Sequence, residues 1–93
     1  MDGKKIKVQA IINPISGVGS KRKIPKMIER MCEKGGCPLE ISFTEYPGHA
    51  SELTRKAIDE GANCIIAVGG DGTVNEIARA MVHSDAVLGI VPK

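Results

Sequence analysis

Apolar residues follow two alternating patterns along the chain. Four short runs are continuously apolar or alternate apolar with polar residues, which is typical of strands, and the segments between them place apolar residues at helical spacing. We predict strands at residues 6–12, 39–46, 63–68 and 86–91. The chain is therefore expected to run strand, helix, strand, helix, strand, helix, strand.

The three predicted helices have apolar stripes and recognisable ends. The first begins near residues 21–24, because Pro25 is tolerated only in a first turn, and Gly35-Gly36 stops it. Gly61 closes the second. The stripes consist of Ile24, Met27, Ile28, Met31 and Cys32 in the first helix, Ala50, Leu53, Ala57 and Ile58 in the second, and Val74, Ile77, Ala78, Met81 and Val82 in the third.

This alternation predicts a single α/β domain over residues 1–93. We expect a four-stranded, mainly parallel sheet between two helical layers, in a three-layer α/β/α arrangement. Right-handed crossovers place all strand-to-helix loops along one edge of such a sheet, and ligands bind there at a switch in strand order. Loops 13–20, 44–49 and 69–73 should therefore converge on one crevice.

Composition excludes some classes of function. The only aromatic residues are Phe43 and Tyr46, so the core must be aliphatic and stacking of single-stranded nucleic acid is disfavoured. The net charge of +2 is too small to indicate a polyanionic partner. No apolar run approaches the roughly 20 residues of a membrane helix. We expect a cytoplasmic protein that binds no nucleic acid, and contact with a membrane surface stays open.

The three cysteines indicate reduced thiols. Cys32, Cys37 and Cys64 are odd in number and lack zinc-ligand spacing, and the start MDGKKIKVQA is too polar for a secretory signal. Free thiols in a cytosolic protein are the favoured interpretation. A metal site built from Cys32, Cys37 and His49 is a disfavoured alternative.

The loop GGDGT at residues 69–73 has the strongest chemical signal. Glycines permit positive φ and close approach of a ligand, and amides at a helix N-terminus attract anions. Asp71 would repel a phosphate, so we expect it to hold Mg²⁺ or to contact an acceptor group. Thr73 and Glu76 also fit a capping box, which would explain both residues locally.

The other two loops are less specific. Loop 13–20 lacks the Walker A pattern and the third glycine of a dinucleotide fingerprint. Cations beside it oppose the helix dipole unless an anion lies there, and a solvated charged face is the equal alternative. These cations are Lys21, Arg22, Lys23 and Lys26. In the loop that starts at Thr44, His49 is expected to be a capping or surface residue rather than a catalytic base.

Three motifs together resemble a known family. N-P-x-S-G-x-G at 13–19, T-E-x-x-x-H-A at 44–50 and G-G-D-G-T-x-N-E at 69–76 resemble the diacylglycerol kinase catalytic domain, which includes sphingosine, ceramide and bacterial lipid kinases. The resemblance runs from about residue 6 to residue 93. G-G-D-G alone also occurs in NAD kinases and phosphofructokinases, whereas the first motif and the Asn-Glu pair after the threonine favour lipid kinases.

The resemblance implies a nucleotide-binding lobe like those of NAD kinases and diacylglycerol kinases. It implies ATP and Mg²⁺ as cofactors, a lipid hydroxyl such as that of diacylglycerol as acceptor, and Asp71 as the catalytic residue, with no further metal ligands. The nucleotide site would be formed by Asn13, Pro14, Ile15, Ser16, Gly17, Thr44, Gly69, Gly70, Asp71, Gly72, Thr73, Val74, Asn75 and Glu76.

Family members continue after the fourth strand into a second, mostly β domain that completes the acceptor site. We therefore expect this chain to be the N-terminal ATP-binding lobe, a fragment with little activity alone. Surface on its fourth strand and third helix would allow self-association. The alternatives are a lobe of an NAD kinase or sugar-phosphate kinase, and a non-catalytic nucleotide-binding domain.

Overall fold

The predicted order of elements is confirmed by the computed structural model, which describes residues 6–14 and 23–91. Its strands are β1 (Val8–Ile12), β2 (Leu39–Phe43), β3 (Cys64–Val68) and β4 (Val87–Val91). Its helices are α1 (Lys23–Gly35), α2 (His49–Asp59) and α3 (Asp71–Ala80). β2 ends three residues earlier than predicted, so Thr44 lies beyond the strand.

All four strands are parallel, in the order β2-β1-β3-β4. After β1 the chain adds β2 on one side and then crosses to the other side of β1 for β3. The strand order therefore switches at the β1–β3 pair, where α/β sheets form their ligand crevices. Every residue of β1 is buried, because this strand has a neighbour on each side and helices over both faces.

Two core clusters lie on opposite faces of the sheet, which confirms the three-layer arrangement. One joins α2 and α3 to the sheet through Ile11, Ala50, Ala57, Ala62, Ile65, Ala67, Ile77 and Met81. The other joins α1 to the sheet through Val8, Ala10, Ile12, Ile28, Cys32 and Val68. Both clusters are aliphatic or contain sulfur, as the scarcity of aromatic residues predicted.

The predicted apolar stripes are partly wrong at their margins. In α1, Ile28 is buried, but Met27 is 45% and Met31 is 66% exposed, because this helix packs on its face of the sheet alone. In α3, Ile77 is buried, whereas Val82 is 68% exposed because it lies beyond the end of the helix. Ala78 is exposed as well. The side chain of Ile24 lies outside the described part of the chain.

The edge strand β4 presents apolar side chains to solvent. Val87 is 65% and Ile90 is 55% exposed. Exposed apolar residues on an edge strand favour pairing with another chain. Self-association thus stays a prediction: sedimentation velocity at high protein concentration should show dimers or larger species, and a clean monomer would contradict it.

Candidate functional site

The three strand-to-helix loops meet where the parallel strands end. The Asn13 amide donates to the Val68 carbonyl at 2.9 Å, and the Thr44 amide donates to the Ile12 carbonyl at 2.9 Å. The residue after β1 is thereby held against the end of β3, and the residue after β2 against the end of β1. This geometry confirms the predicted convergence for the described loop residues.

A cavity of about 330 Å³ lies at this meeting point. It is lined by Asn13, Thr44, Glu45, Tyr46, Pro47, Ala50, Gly72, Thr73 and Glu76. Five of these were predicted for the nucleotide site. Glu45, Tyr46, Pro47 and Ala50 were not, although all four lie within the motif at residues 44–50, which was signal enough to include them.

Gly69 is a spacer that allows two loops to pack closely. A Cβ atom on this buried residue would stand 2.9 Å from Oγ1 of Thr73 and 3.2 Å from Cβ of Asn13. Gly69, Gly70 and Gly72 are absent from the described positive-φ residues, so this loop does not use the freedom of glycine to adopt positive φ. The chain passes through an extended Gly70 directly into α3 and needs no left-handed residue there.

The N-terminus of α3 lies at the cavity. Gly70 is its N-cap and makes no side-chain capping hydrogen bond, and Asp71 is its first helical residue. The amides of a first helical turn have no partner within the helix, and the helix dipole adds positive potential there. A Cβ atom on Gly72 would meet no atom within 4 Å. A ligand could therefore approach the main chain at this residue.

Thr73 and Glu76 tie α3 to the other two loops instead of capping it. Nδ2 of Asn13 donates to Oγ1 of Thr73 at 3.1 Å, and the Gly48 amide donates to Oε2 of Glu76 at 3.3 Å. The capping-box prediction is wrong, because the helix begins at Asp71 and Thr73 is its third residue. Both side chains instead fix the relative positions of the loops around the cavity.

The loop between β2 and α2 is ordered by its own side chains. The Glu45 amide donates to Nδ1 of His49 at 2.9 Å, and the imidazole stacks on the Tyr46 ring with centroids 4.3 Å apart. The Tyr46 hydroxyl donates to Oε1 of Glu52 at 3.1 Å. Desolvation first, and then the hydrogen bond to that carboxylate, raises the pKa of the Tyr46 hydroxyl. The His49 side chain thus orders this loop, and its assignment as a capping or surface residue rather than a catalytic base stays a prediction.

Residues 7–93 match the model of the diacylglycerol kinase catalytic domain. The chain belongs to this family.

Relatives in the family are matched over a part of their length. A "probable lipid kinase YegS-like" protein of Cronobacter sakazakii is 32% identical, with 84% of this chain and 27% of that protein covered. A diacylglycerol kinase of Staphylococcus aureus (strain MRSA252) is 33% identical, with 92% of this chain and 28% of that protein covered. The crystal structure of a diacylglycerol kinase from Bacillus anthracis shares the fold with a TM-score of 0.72 and 26% identity, covering 98% of this chain and 34% of the other. The chain thus spans about a third of its relatives' length or less.

The other predicted site residues of this diacylglycerol kinase domain lie near the cavity or outside the described part. Asp71 and Asn75 are exposed on α3, and Val74 packs against the core. Pro14 follows Asn13 in the first loop. Ile15, Ser16 and Gly17, and the cations Lys21 and Arg22, fall outside the described residues.

The described lining of the cavity carries negative charge. Glu45 and Glu76 contribute carboxylates, and none of the described lining residues is a cation. Within the described residues, no group of three histidine, cysteine or acidic side chains is arranged to hold a metal ion. An anionic ligand would therefore need a cation of its own, or the cations that follow the first loop.

Proposed function

We propose that this chain is the ATP-binding lobe of a lipid kinase that transfers the γ-phosphate of ATP to a lipid hydroxyl such as that of diacylglycerol. One observation carries the proposal. Described residues of all three motifs that resemble the diacylglycerol kinase family line one cavity at the switch in strand order, with the N-terminus of α3 at its wall. Family membership supplies the reaction class.

The residues at the cavity suit a phosphate accompanied by Mg²⁺. The amides of the first turn of α3 would receive phosphate oxygens, and the open space at Gly72 lets them approach. Mg²⁺ in proteins binds one or two carboxylates together with substrate phosphates. Asp71, in the first turn of α3, is our candidate for that carboxylate. Mg²⁺ would supply the positive charge that the described lining lacks.

We propose that the chain binds the phosphate donor without phosphorylating lipid on its own. Phosphoryl transfer requires donor and acceptor held in line with water excluded. The chain corresponds to 27% and 28% of the two curated relatives, so much of their length lies outside this comparison. A lipid acceptor would bring the protein to a membrane surface. No helix in the described part has the length and apolarity to cross a bilayer.

Isothermal titration with ATP and Mg²⁺ tests the donor site. We expect weak, Mg²⁺-dependent binding that Gly72→Val reduces, because an added Cβ meets no atom within 4 Å and the valine side chain would occupy the open space beside the α3 amides. Asp71→Asn should weaken the dependence on Mg²⁺. Gly89→Ala is the matched control, since Gly89 lies in β4 and an added Cβ meets only Ile66, at 3.9 Å.

The absence of binding at millimolar ATP in a folded sample would contradict the donor site. Equal affinity of Gly72→Val and the control would place ATP elsewhere on the chain.

An acceptor panel tests the reaction class with the native protein that contains this chain. Diacylglycerol, ceramide, sphingosine and NAD would each be offered with radiolabelled ATP. We expect a phosphorylated lipid. Phosphorylation of NAD without any lipid product would overturn the proposal in favour of an NAD kinase.

A further inference from the structure

The helices α1 and α2 end in the same backbone motif. At the end of α1 the Gly36 amide donates to the Glu33 carbonyl and the Cys37 amide to the Cys32 carbonyl. At the end of α2 the Gly61 amide donates to the Ile58 carbonyl and the Ala62 amide to the Ala57 carbonyl. Both glycines have positive φ, which defines two Schellman motifs.

A Schellman motif is frequently accompanied by a contact between the two side chains that flank the helix end. In α2 these are Ala57 and Ala62, both buried in one core cluster. In α1 the same two positions are occupied by Cys32 and Cys37. The alanine pair shows that the motif requires no sulfur, so the thiol pair in α1 adds a redox chemistry that the backbone motif itself does not use.

The backbone places these two cysteines within reach of a disulfide. The hydrogen bond from the Cys37 amide to the Cys32 carbonyl is 2.9 Å long. With standard bond lengths, it limits the distance between the two Cα atoms to about 7 Å, the upper limit for a disulfide. We propose that Cys32 and Cys37 form a reversible disulfide that fastens the last turn of α1 to the segment leading into β2.

The third thiol is placed less well for pairing. Cys64 in β3 and Leu39 in β2 both lie opposite Val8 of β1, on its two sides. Strands separated by a third lie roughly 10 Å apart, and the Cys64 amide donates to the Lys7 carbonyl and not to the end of α1. The backbone bond that holds Cys37 beside Cys32 thus has no counterpart at Cys64, although the Cys64 side chain packs against the same core cluster as Cys32. Cys64 therefore serves as an internal control.

Access favours Cys37 as the first thiol to react. Cys37 is half-buried, whereas Cys32 is only 8% exposed, and both line a surface cavity of about 430 Å³. Burial, and secondarily the neighbouring thiols Cys37 and Cys64, raises the pKa of the Cys32 thiol, which reduces its thiolate fraction. Glu29 and Glu33 line the same cavity and would repel an anionic oxidant.

The oxidant is a small neutral disulfide such as hydroxyethyl disulfide. The Cys37 thiolate attacks one sulfur of the reagent, and its disulfide bond breaks to release one mercaptoethanol, which takes up the proton lost by Cys37. The Cys32 thiolate then attacks the sulfur of Cys37 and expels a second mercaptoethanol, which takes up its proton. Two protein thiols are oxidised and the reagent is reduced to two thiols.

Mass spectrometry of the oxidised chain tests the pairing directly. After treatment with the reagent and alkylation of the remaining thiols, trypsin cleaves after Lys34, between the two cysteines. We expect peptide 31–34 linked to peptide 35–55, and an alkylated Cys64 in peptide 57–79. The melting temperature should rise by roughly 5 °C, because the cross-link constrains the unfolded chain, and a reducing agent should reverse the rise.

Two variants separate the pair from the third thiol. Cys64→Ser should retain both the linked peptides and the rise in melting temperature, and Cys37→Ser should lose both. A bridge that includes Cys64, a disulfide-linked dimer, or an adduct of the reagent on Cys37 without the internal bridge would each overturn the proposal.

Discussion

The two ends of the sheet differ in how they use glycine and polar side chains. At the carboxyl end, Gly69 allows two loops to touch, and hydrogen bonds from Asn13 to Thr73 and from Gly48 to Glu76 join loops from different parts of the chain. At the amino end, Gly36 and Gly61 have positive φ and end helices. The carboxyl end thus adds side-chain hydrogen bonds and close packing at a glycine to its backbone hydrogen bonds, whereas these two glycines of the amino end serve to end helices.

The cavities at the two ends of the sheet differ in the polarity of their lining residues. The cavity at the carboxyl end includes amide, hydroxyl and carboxylate groups in its lining. A cavity of about 720 Å³ at the amino end is lined in large part by apolar residues, among them Ile6, Ile58, Ala62 and Val87. The larger cavity is therefore not the one with groups suited to phosphate, which is why we place the nucleotide at the smaller one.

The largest expected effect is at Gly69. Gly69→Ala should lower the free energy of unfolding by about 1–3 kcal/mol, because the new Cβ would overlap Thr73 and press on Asn13. Urea denaturation measures the change. Gly72→Ala is the matched control three residues later, where open space and helical backbone predict no loss and a gain of up to about 1 kcal/mol. Equal losses in the two variants would contradict the role of Gly69 as a spacer.

At the amino end, Gly61→Ala should cost about 1–2 kcal/mol for a different reason. Its φ is 101° and an added Cβ meets no atom within 4 Å, so the cost is backbone strain alone. Asparagine tolerates this conformation better than alanine, and we expect Gly61→Asn to recover part of the loss in the same urea assay. Gly69→Asn should lower the free energy of unfolding more than Gly69→Ala, because its larger side chain has less room beside Thr73. The opposite order at either glycine would break the comparison between the two ends.

A smaller effect is expected from the bond between Asn13 and Thr73. A double-mutant cycle with Asn13→Ala and Thr73→Val should give a coupling energy of about 0.5–1.5 kcal/mol, the usual net value of a hydrogen bond. Thermal or urea denaturation of the four proteins supplies it. Strictly additive losses would mean that the two loops are held together by packing and not by this bond.

The smallest expected effect is on pH dependence and concerns the thiols near the amino end. Burial first, and then the Cys37 thiol, raises the pKa of Cys64 above its ordinary value of 9.0. The folded state therefore keeps this proton at pH values where the unfolded state has lost it, and stability falls as pH rises through that window. Below the ordinary pKa the thiol is protonated in both states, so this contribution is constant.

Urea denaturation in reducing buffer at about pH 8 and about pH 10 measures this loss. Cys64→Ala should lose less stability than the wild type over the same interval, because it lacks this titrating thiol. Lysines and tyrosine titrate in both proteins, so their effect cancels in the comparison. An equal loss in both proteins would show that Cys64 does not contribute.

The sequence by itself determined the order of elements and the edge of the sheet where the candidate site lies. Alternation of apolar runs with helical spacing is enough for a parallel α/β sheet, and parallel strands place all strand-to-helix loops together. The glycine pair at residues 35–36 and the single Gly61 correctly predicted the ends of two helices, because few other residues adopt positive φ without strain. The three motifs also determined the family.

Only the tertiary structure decided what several individual residues do. Thr73 and Glu76 matched a local capping pattern, yet their partners are Asn13 and Gly48, which lie far away in sequence. The role of Gly69 likewise depends on Asn13, which follows the neighbouring strand β1 and would be 3.2 Å from a Cβ atom added to Gly69. A sequence motif shows which hydrogen-bond partners are available locally. It does not show the distant loops that folding brings next to the same residues. The sequence likewise did not show that α1 and α2 end in the same Schellman motif, which only their backbone hydrogen bonds revealed.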